Sequence, residues 1–273
     1  MIEINGNQYR LCLVDTNAIS EMVKNPKREF KNFQTWSFSE KPPYITSFSL
    51  FTIMEMRQRP DVYSKFLDTF STWPCVILKS EEQLFNEELS SYPDPSKIFP
   101  ILVAGVGAVK PNQRLDKILN ITFSKKDILD KERAWIEGRS STADAIASLA
   151  SNYPPESSSY TISEIHTFIE IAGLQQLILR VPKFAKLKIN SKNPINISSF
   201  PSLKMALYTV FYKFYVDKRK YIDSDVFDII ISAPTPYVDA IITERHQAEV
   251  IKKIKRHDDF IGKVKVMTLN DIR

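Results

Sequence analysis

Runs of consecutive apolar residues indicate where the buried strands of this chain lie. Residues 11–14 are apolar at every position, and Cys75–Leu78 repeats that pattern. Strands without polar alternation are typical of a parallel sheet that is covered by helices on both faces. Segments 44–46, 240–243 and 264–269 are further strand candidates. The pattern therefore predicts a parallel sheet built from both ends of the chain.

Between these strands, apolar residues recur every three or four positions, which is the period of an amphipathic helix. Leu50, Ile53 and Met54 share one such face, and Ser47 or Ser49 is suited to cap its start. Further helices are predicted at 18–23, 60–70, 81–91, 125–137, 142–151, 161–179, 202–218, 223–232 and 245–257. The order of elements at the two ends, βα…β…αβαβ, predicts an α/β fold with a mainly parallel central sheet flanked by helices.

The middle of the chain is predicted to be a mostly helical insertion. Residues 1–80 and 200–273 would form the core, and residues 81–199 would leave the sheet and return to it. Excursions between α/β elements are usually short, so more than about 100 residues there should form a packed unit of their own. Loops at the carboxyl edge of such sheets carry specificity, and we therefore expect the insertion to cap that edge.

Composition and charge narrow the class of protein. The 273 residues are 43% hydrophobic and 25% charged, as in globular proteins with a sizeable core. The longest apolar run, residues 99–109, is far shorter than the ~20 residues that span a bilayer, and the N-terminus lacks a signal-peptide pattern. Only Cys12 and Cys75 are present, which favours a reducing, cytoplasmic environment. The net charge of +5 is compatible with a polyanionic partner.

Separated carboxylates are the most informative polar residues. Asp15 follows the first strand, Glu55 lies on a helix, and Glu244 follows the strand at 240–243. Asp225 and Asp228 are three residues apart at a helix start and therefore share one face. Strand ends and the following helix starts meet at one edge of a parallel sheet, where such carboxylates would need a counter-cation. Oxygen ligands with few protein donors suit Mg²⁺ or Mn²⁺.

This ordered set resembles the PIN-domain nucleases, which include the toxins of bacterial toxin–antitoxin pairs. The residues that carry the resemblance are the Leu-Val-Asp-Thr-Asn sequence at 13–17, Glu55, the Asp225-x-x-Asp228 pair and the Ala-Ile-Ile-Thr-Glu sequence at 240–244. The resemblance implies a PIN-like sandwich, a Mg²⁺ or Mn²⁺ cofactor and a ribonuclease activity. It implies that Asp15, Glu55, Asp228 and Glu244 ligate metal and are catalytic, with Asn17 or Thr16 in support.

The chain departs from the family pattern at three points. The last acid is Glu244 where the family has aspartate, and the long segment between Glu55 and Asp228 requires an insertion. Asp225 and Asp228 compete for one metal-ligand position, and Asp225 has helix capping as its alternative role. Asp239 is a weaker candidate, because it precedes its strand and four to five residues at ~3.3 Å each separate it from the other end.

Basic residues between aromatic ones suggest a nucleic-acid contact. Lys213, Lys218, Arg219 and Lys220 follow a segment rich in tyrosine and phenylalanine, a combination that binds phosphates and stacks unpaired bases. Helical spacing of those aromatics equally favours a core. Residues 105–110 resemble part of a phosphate loop but lack its Lys-Ser/Thr ending, so we expect an apolar helix or core segment there. The histidines lack metal-ligand spacing.

The leading functional expectation is a metal-dependent endoribonuclease that acts as a toxin or defence effector. An RNA substrate, an antitoxin or other protein partner, and a homodimer are expected with it, and a membrane is not. The first alternative is a degenerate PIN-like scaffold that binds RNA or protein without catalysis, because Glu244 departs from the family. The second is a structure-specific DNA nuclease that uses the same acids.

Overall fold

The computed structural model describes residues 1–4, 6–105, 114–152, 160–182, 195–217, 222 and 224–272. The strands are β1 (Ile2–Ile4), β2 (Asn7–Val14), β3 (Tyr44–Ser49), β4 (Cys75–Leu78), β5 (Ile101–Gly105), β6 (Ala240–Ile242) and β7 (Lys265–Met267). They form one sheet in the order β5-β4-β3-β2-β6-β7, with β1 antiparallel to the start of β2. Strands β4, β3, β2, β6 and β7 are parallel, and β5 is antiparallel to β4. The predicted α/β class with a mainly parallel sheet is therefore confirmed.

Helices cover both faces of the sheet. They are α1 (Thr16–Lys24), α2 (Lys31–Ser39), α3 (Leu50–Arg57), α4 (Pro60–Phe70), α5 (Glu81–Ser91), α6 (Leu115–Thr122), α7 (Lys126–Asn152), α8 (Ile162–Arg180), α9 (Pro201–Val210), α10 (Ser224–Ser232) and α11 (Arg245–His257). Two π-helical segments, Pro26–Phe30 and Phe211–Val216, precede α2 and extend α9. No helix in the described part of the chain is both long and apolar enough to cross a membrane.

Alternating residues of the central strands separate two hydrophobic cores. Cys12 and Val14 point to one face, which is covered by α1 to α4, α6, α7 and α10. Leu11 and Leu13 point to the other face, which is covered by α5, α8, α9, the second π-helical segment and α11. Both faces of β2 are buried, which is why its sequence shows no polar alternation.

Local signals define several helix starts. Ser49 caps α3 by accepting a hydrogen bond from the Phe51 amide, which settles the choice between Ser47 and Ser49. Ser80 and Gln83 form a capping box at α5, so this helix begins where the sequence predicts it. Other boundaries differ from prediction: the helices expected at 125–137 and 142–151 are one helix, α7, and the helix expected at 202–218 changes to π geometry after Val210.

The segment 81–199 does not pack as a unit of its own within the described residues. Leu115 and Leu119 of α6 belong to the core on one face of the sheet, whereas Ile165 and Ile169 of α8 belong to the core on the other. An apolar helix or core segment was expected at 105–110. Its first residue, Gly105, is the last residue of β5, which pairs with β4, and residues 106–113 lie outside the described part. The described part of the segment thus contributes a strand and helices to the common architecture, and the cap over the carboxyl edge stays a prediction.

Candidate functional site

Two of the predicted acidic residues, Asp15 and Glu244, meet at the point where the order of the strands reverses. After β2 the chain turns to α1, whose Ile19 and Met22 pack on one face, and after β6 it turns to α11, whose Val250 and Ile251 pack on the other. Because β2 and β6 are neighbours, their following helices diverge and leave a crevice between them. Open α/β sheets bind ligands in such a crevice, beyond the carboxyl ends of the strands.

Asp15 lies at the base of this crevice and links its two sides. Its Oδ1 accepts a hydrogen bond from the Ala18 amide at 2.8 Å, which caps α1. Its Oδ2 accepts from the Thr243 hydroxyl and from the Glu244 amide, the latter at 3.3 Å. The side chain therefore joins the end of β2 to the end of β6, using neutral donors on both sides.

Burial makes the charge of Asp15 costly. The pKa of this carboxyl is raised to about 6, chiefly by burial and in smaller part by the negative charge of Asp228, while the hydrogen bonds from Ala18 and Thr243 act in the opposite direction. A cation near Asp15 would stabilise its ionised form.

Glu244 and Asn17 form the rim of the crevice. The Asn17 side-chain amide donates to Glu244 Oε2 at 3.2 Å, so α1 and the start of α11 are connected a second time. Glu244 is half-buried, and Asn17 is exposed. Both residues were predicted for the site, and the structure brings them together with Asp15.

Lys213 is the counter-cation of the two helix acids. Its Nζ lies 2.6 Å from Asp228 Oδ2 and 3.2 Å from Asp225 Oδ1, and the Ile222 amide also donates to Asp225. Lys213 and Asp225 are 0% exposed, whereas the Asp228 side chain is 25% exposed. Asp225 is therefore enclosed by the protein, and of the two acids Asp228 is the one with a partly exposed side chain.

This burial corrects the predicted nucleic-acid contact at Lys213. A fully buried ammonium that is paired with two carboxylates has no surface to offer to a phosphate, and leaving that pair would cost several kcal/mol. The other residues predicted for this contact, Lys218, Arg219 and Lys220, lie outside the described residues.

Glu55 and Asp239 have different positions relative to the crevice. Glu55 is half-buried on α3, and this helix packs against α1 and α10, which carry Asn17 and Asp228. Asp239 lies at the opposite end of β6, where its Oδ2 accepts from the Leu11 amide at 2.8 Å and lies 3.5 Å from the N-terminal amino group. The structure thus places Asp239 at the amino edge of the sheet, away from Asp15.

A cavity of about 460 Å³ opens beside Asn17 and Glu244. Its charged lining residues are Glu21, Glu29, Glu244, Arg245, Glu249, Lys252 and Asp271. Acidic side chains outnumber basic ones, and the two basic residues both belong to α11. A cavity of this size accommodates a small polar ligand or one segment of a chain molecule.

The site has suitable donors for a hard cation, but they already have protein partners. Carboxylate and amide oxygens are the ligands that Mg²⁺ and Mn²⁺ prefer. Among the described residues, however, no three His, Cys, Asp or Glu side chains are grouped to hold a metal ion. Both oxygens of Asp15 accept hydrogen bonds, and Asp228 is bound to Lys213. The donors fit a divalent cation by chemistry rather than by a preformed cage.

Sequence analysis missed the parts played by Thr243 and Lys213. Thr243 was assigned to a strand, although a threonine at a strand end can donate to the carboxylate of the neighbouring strand. The signal for Lys213 was its isolation, because a single cation in the run 208–216 of aromatic and aliphatic residues predicts a buried ion pair.

Comparisons with protein-family models, with curated proteins and with solved structures found no match to this chain.

Proposed function

We propose that this protein is a Mg²⁺- or Mn²⁺-dependent nuclease that hydrolyses RNA phosphodiester bonds in the crevice around Asp15. The observation that carries the proposal is the meeting of Asp15 and Glu244 at the switch point of the sheet. The PIN-like character of the fold is part of the same proposal, since the order of these acids along the chain is the one that suggested it.

Asp15, Asp228 and Glu244 are the residues that would hold the cation, and Glu55 joins them by resemblance. Burial, and to a smaller extent the charge of Asp228, raises the pKa of Asp15, and a divalent cation would relieve both effects. When bound, Mg²⁺ or Mn²⁺ polarises phosphoryl oxygens and lowers the pKa of a water molecule. The chain itself positions the acids: Thr243 and the Ala18 amide hold Asp15, and Lys213 holds Asp228 in place.

Two helix starts support an anionic substrate in the same crevice. Both α1 and α11 begin there; the Asp15 side chain caps α1, whereas Glu244 precedes α11 without a side-chain capping bond, and helix N-termini carry partial positive charge. Arg245 and Lys252 line the adjoining cavity and add two full positive charges to it. A phosphodiester would thus meet cationic groups beside the carboxylates, as phosphoryl transfer requires.

The test is cleavage of labelled single-stranded RNA by the purified protein with Mn²⁺ or with EDTA. Asp15→Asn keeps the helix cap but removes the charge, and we expect it to reduce the rate by about 100-fold or more. Asp68→Asn is the matched control, because Asp68 is an exposed aspartate of α4, and it should cleave like the wild type. Undiminished cleavage by Asp15→Asn or in EDTA would refute the proposal. Cleavage of flap DNA but not of RNA would refute the RNA assignment.

A degenerate scaffold that binds RNA or protein without catalysis is the second candidate function. The Lys213 ion pair favours it, because an ammonium already neutralises the helix acids that would otherwise require a metal. Calorimetry with Mn²⁺ separates the two candidates. Absence of Mn²⁺ binding, together with an RNA affinity that EDTA does not change, would favour the scaffold over the nuclease.

A further inference from the structure

A second cavity, of about 560 Å³, lies at the other end of α11. It is bordered by α8, the segment around Ile197, α9 and the C-terminal end of α11. Lys204, Lys255, Arg256 and His257 contribute to its lining. The acidic edge of the sheet contributes no residue to this lining, so the cavity is a separate feature of the molecule.

One acid in this cavity is neutralised from within. Asp258 lies 2.7 Å from Lys204 Nζ and accepts a hydrogen bond from the Tyr208 hydroxyl at 2.8 Å. Lys204 keeps the pKa of Asp258 below its usual range, so the two form a stable pair. Asp258 therefore offers little repulsion to an anion. The rest of the lining holds two cations, Lys255 and Arg256, and two acids, Glu170 and Asp259.

His257 adds a hydrogen-bonding group to the same lining. The Tyr212 hydroxyl bonds to its Nδ1, which leaves Nε2 as the ring nitrogen for a ligand. Asn196 and Ser198 supply further polar groups. Cations, an imidazole and small polar groups together suit a phosphate with an attached sugar or base more than they suit an apolar ligand.

Helix α11 connects this cavity to the one beside Glu244. Its thirteen residues contain five Lys or Arg and a single glutamate. Arg245, Glu249, Lys252 and Arg256 follow one another at helical spacing, and the first three line the site cavity while the fourth lines the second cavity. The Arg256 Nε donates to the Lys252 carbonyl at 3.3 Å, so the two linings meet within one helical turn.

We propose that the exposed face of α11 is a binding track for single-stranded RNA, which runs from the crevice at Asp15 to the second cavity. Cleavage of the bound RNA rests on the proposed function, but binding of the RNA does not. Helix α11 carries five cations against one glutamate, Glu249, which pairs with Lys252 at 3.1 Å. Its net positive charge between two concave sites suits a chain of phosphates, and each contact made by a cation releases a counterion. The second cavity then holds a nucleotide at a distance from the crevice set by α11, which is about 20 Å long.

Fluorescence anisotropy with a twelve-nucleotide RNA in EDTA tests the track without cleavage. The double variant Lys252→Glu/Arg256→Glu should lower affinity about tenfold or more and reduce the slope of log affinity against log salt by about 1.4. Lys125→Glu/Lys126→Glu is the matched control, because it reverses two exposed cations at the start of α7 on the opposite face. The control should bind like the wild type, and a dinucleotide should bind weakly and be insensitive to the Arg256 change.

Equal affinities of the two double variants would overturn the track, and so would binding to anionic lipid vesicles but not to RNA. The milder double variant Lys252→Gln/Arg256→Gln removes the charges without reversing them and is therefore less disruptive to folding. It should show a smaller loss of RNA affinity. RNA that binds along α11 but is never cleaved with Mn²⁺ would refute the nuclease and support the track. Cleavage and affinity that the α11 variants leave unchanged would refute the track and leave the nuclease standing.

Discussion

Two ion clusters, at different places in the molecule, have opposite compositions. In one, a single ammonium, Lys213, is shared by Asp225 and Asp228. In the other, near the amino edge of the sheet, a single carboxylate, Glu40, is shared by Arg10 at 3.0 Å and Lys265 at 2.9 Å. The first cluster has a surplus of negative charge and a buried cation, and the second has a surplus of positive charge and partly exposed members.

The difference explains why one region is suited to ligand binding and the other to structure. Cations hold the pKa of Glu40 below its usual range, so this acid is fully satisfied. Asp15 lies near the first cluster, receives neutral donors, and has a raised pKa. The unbalanced negative charge of the carboxyl edge is therefore available to a cation, whereas the charge of Glu40 is already used.

The largest expected effect is on stability, after Lys213→Met. Removal of one member of a buried ion pair leaves an uncompensated charge at Asp225, and we expect a loss of about 3–5 kcal/mol in the free energy of unfolding. Urea denaturation measures it, and Glu40→Gln, which opens the exposed cluster, should cost no more than about 1 kcal/mol. Equal losses for the two variants would remove the contrast between the clusters. Adding Asp225→Asn to Lys213→Met should recover part of the stability.

Glu88 shows what burial does to an acid far from both clusters. It accepts hydrogen bonds from Ser202 and Tyr237, and burial raises its pKa from 4.5 to about 7. The folded protein then holds a proton that the unfolded chain has released, so this residue makes stability fall as pH rises from about 4.5 to about 7. We expect Glu88→Gln to remove about 2–3 kcal/mol of that fall, measured by urea denaturation across this range. An unchanged pH profile would contradict the assignment.

The smallest expected effect compares two threonines at neighbouring strand ends. Thr243 follows β6 and donates to the buried Asp15, whereas Thr268 follows β7 and donates to the exposed Asp271 at 2.8 Å. Thr243→Val should cost about 1.5–3 kcal/mol, because the hydrogen bond is made to a buried charge. Thr268→Val should cost less than about 1 kcal/mol. Thermal or urea unfolding measures both, and the same cost at both sites would show that burial of Asp15 adds nothing.

The sequence predicted the central sheet well, because burial on both faces leaves an unambiguous pattern. Residues 11–14 and Cys75–Leu78 are apolar throughout, and both proved to be central strands. Strand β5 could not be recognised in the same way, since its pairing with β4 depends on a contact between segments that the sequence pattern does not report. In the 81–199 segment, α6 and α8 likewise pack in the cores on the two faces of the sheet, and the sequence pattern does not report such tertiary contacts.

The candidate site was predictable in its residues but not in its pairing. The strand-end rule places Asp15 and Glu244 together, and the structure brings them to one crevice. The rule could not tell that Lys213 would be buried between Asp225 and Asp228, because the partner of a lone cation is a tertiary contact. In the sequence alone, a helical lysine that faces solvent cannot be distinguished by its partner from one that faces a buried acid.

The short edge strand β7 has a consequence for how copies of this protein behave in a crowded solution. Unpaired backbone amides and carbonyls along an edge strand are a template on which another chain can add, and this is a common route to aggregation. Strand β7 is three residues long and begins with Lys265, whose ammonium is bound to Glu40 and lies 5.6 Å from the centroid of the Trp36 ring. This edge thus offers few backbone groups for pairing, and the charged side chain of Lys265 opposes the addition of another strand.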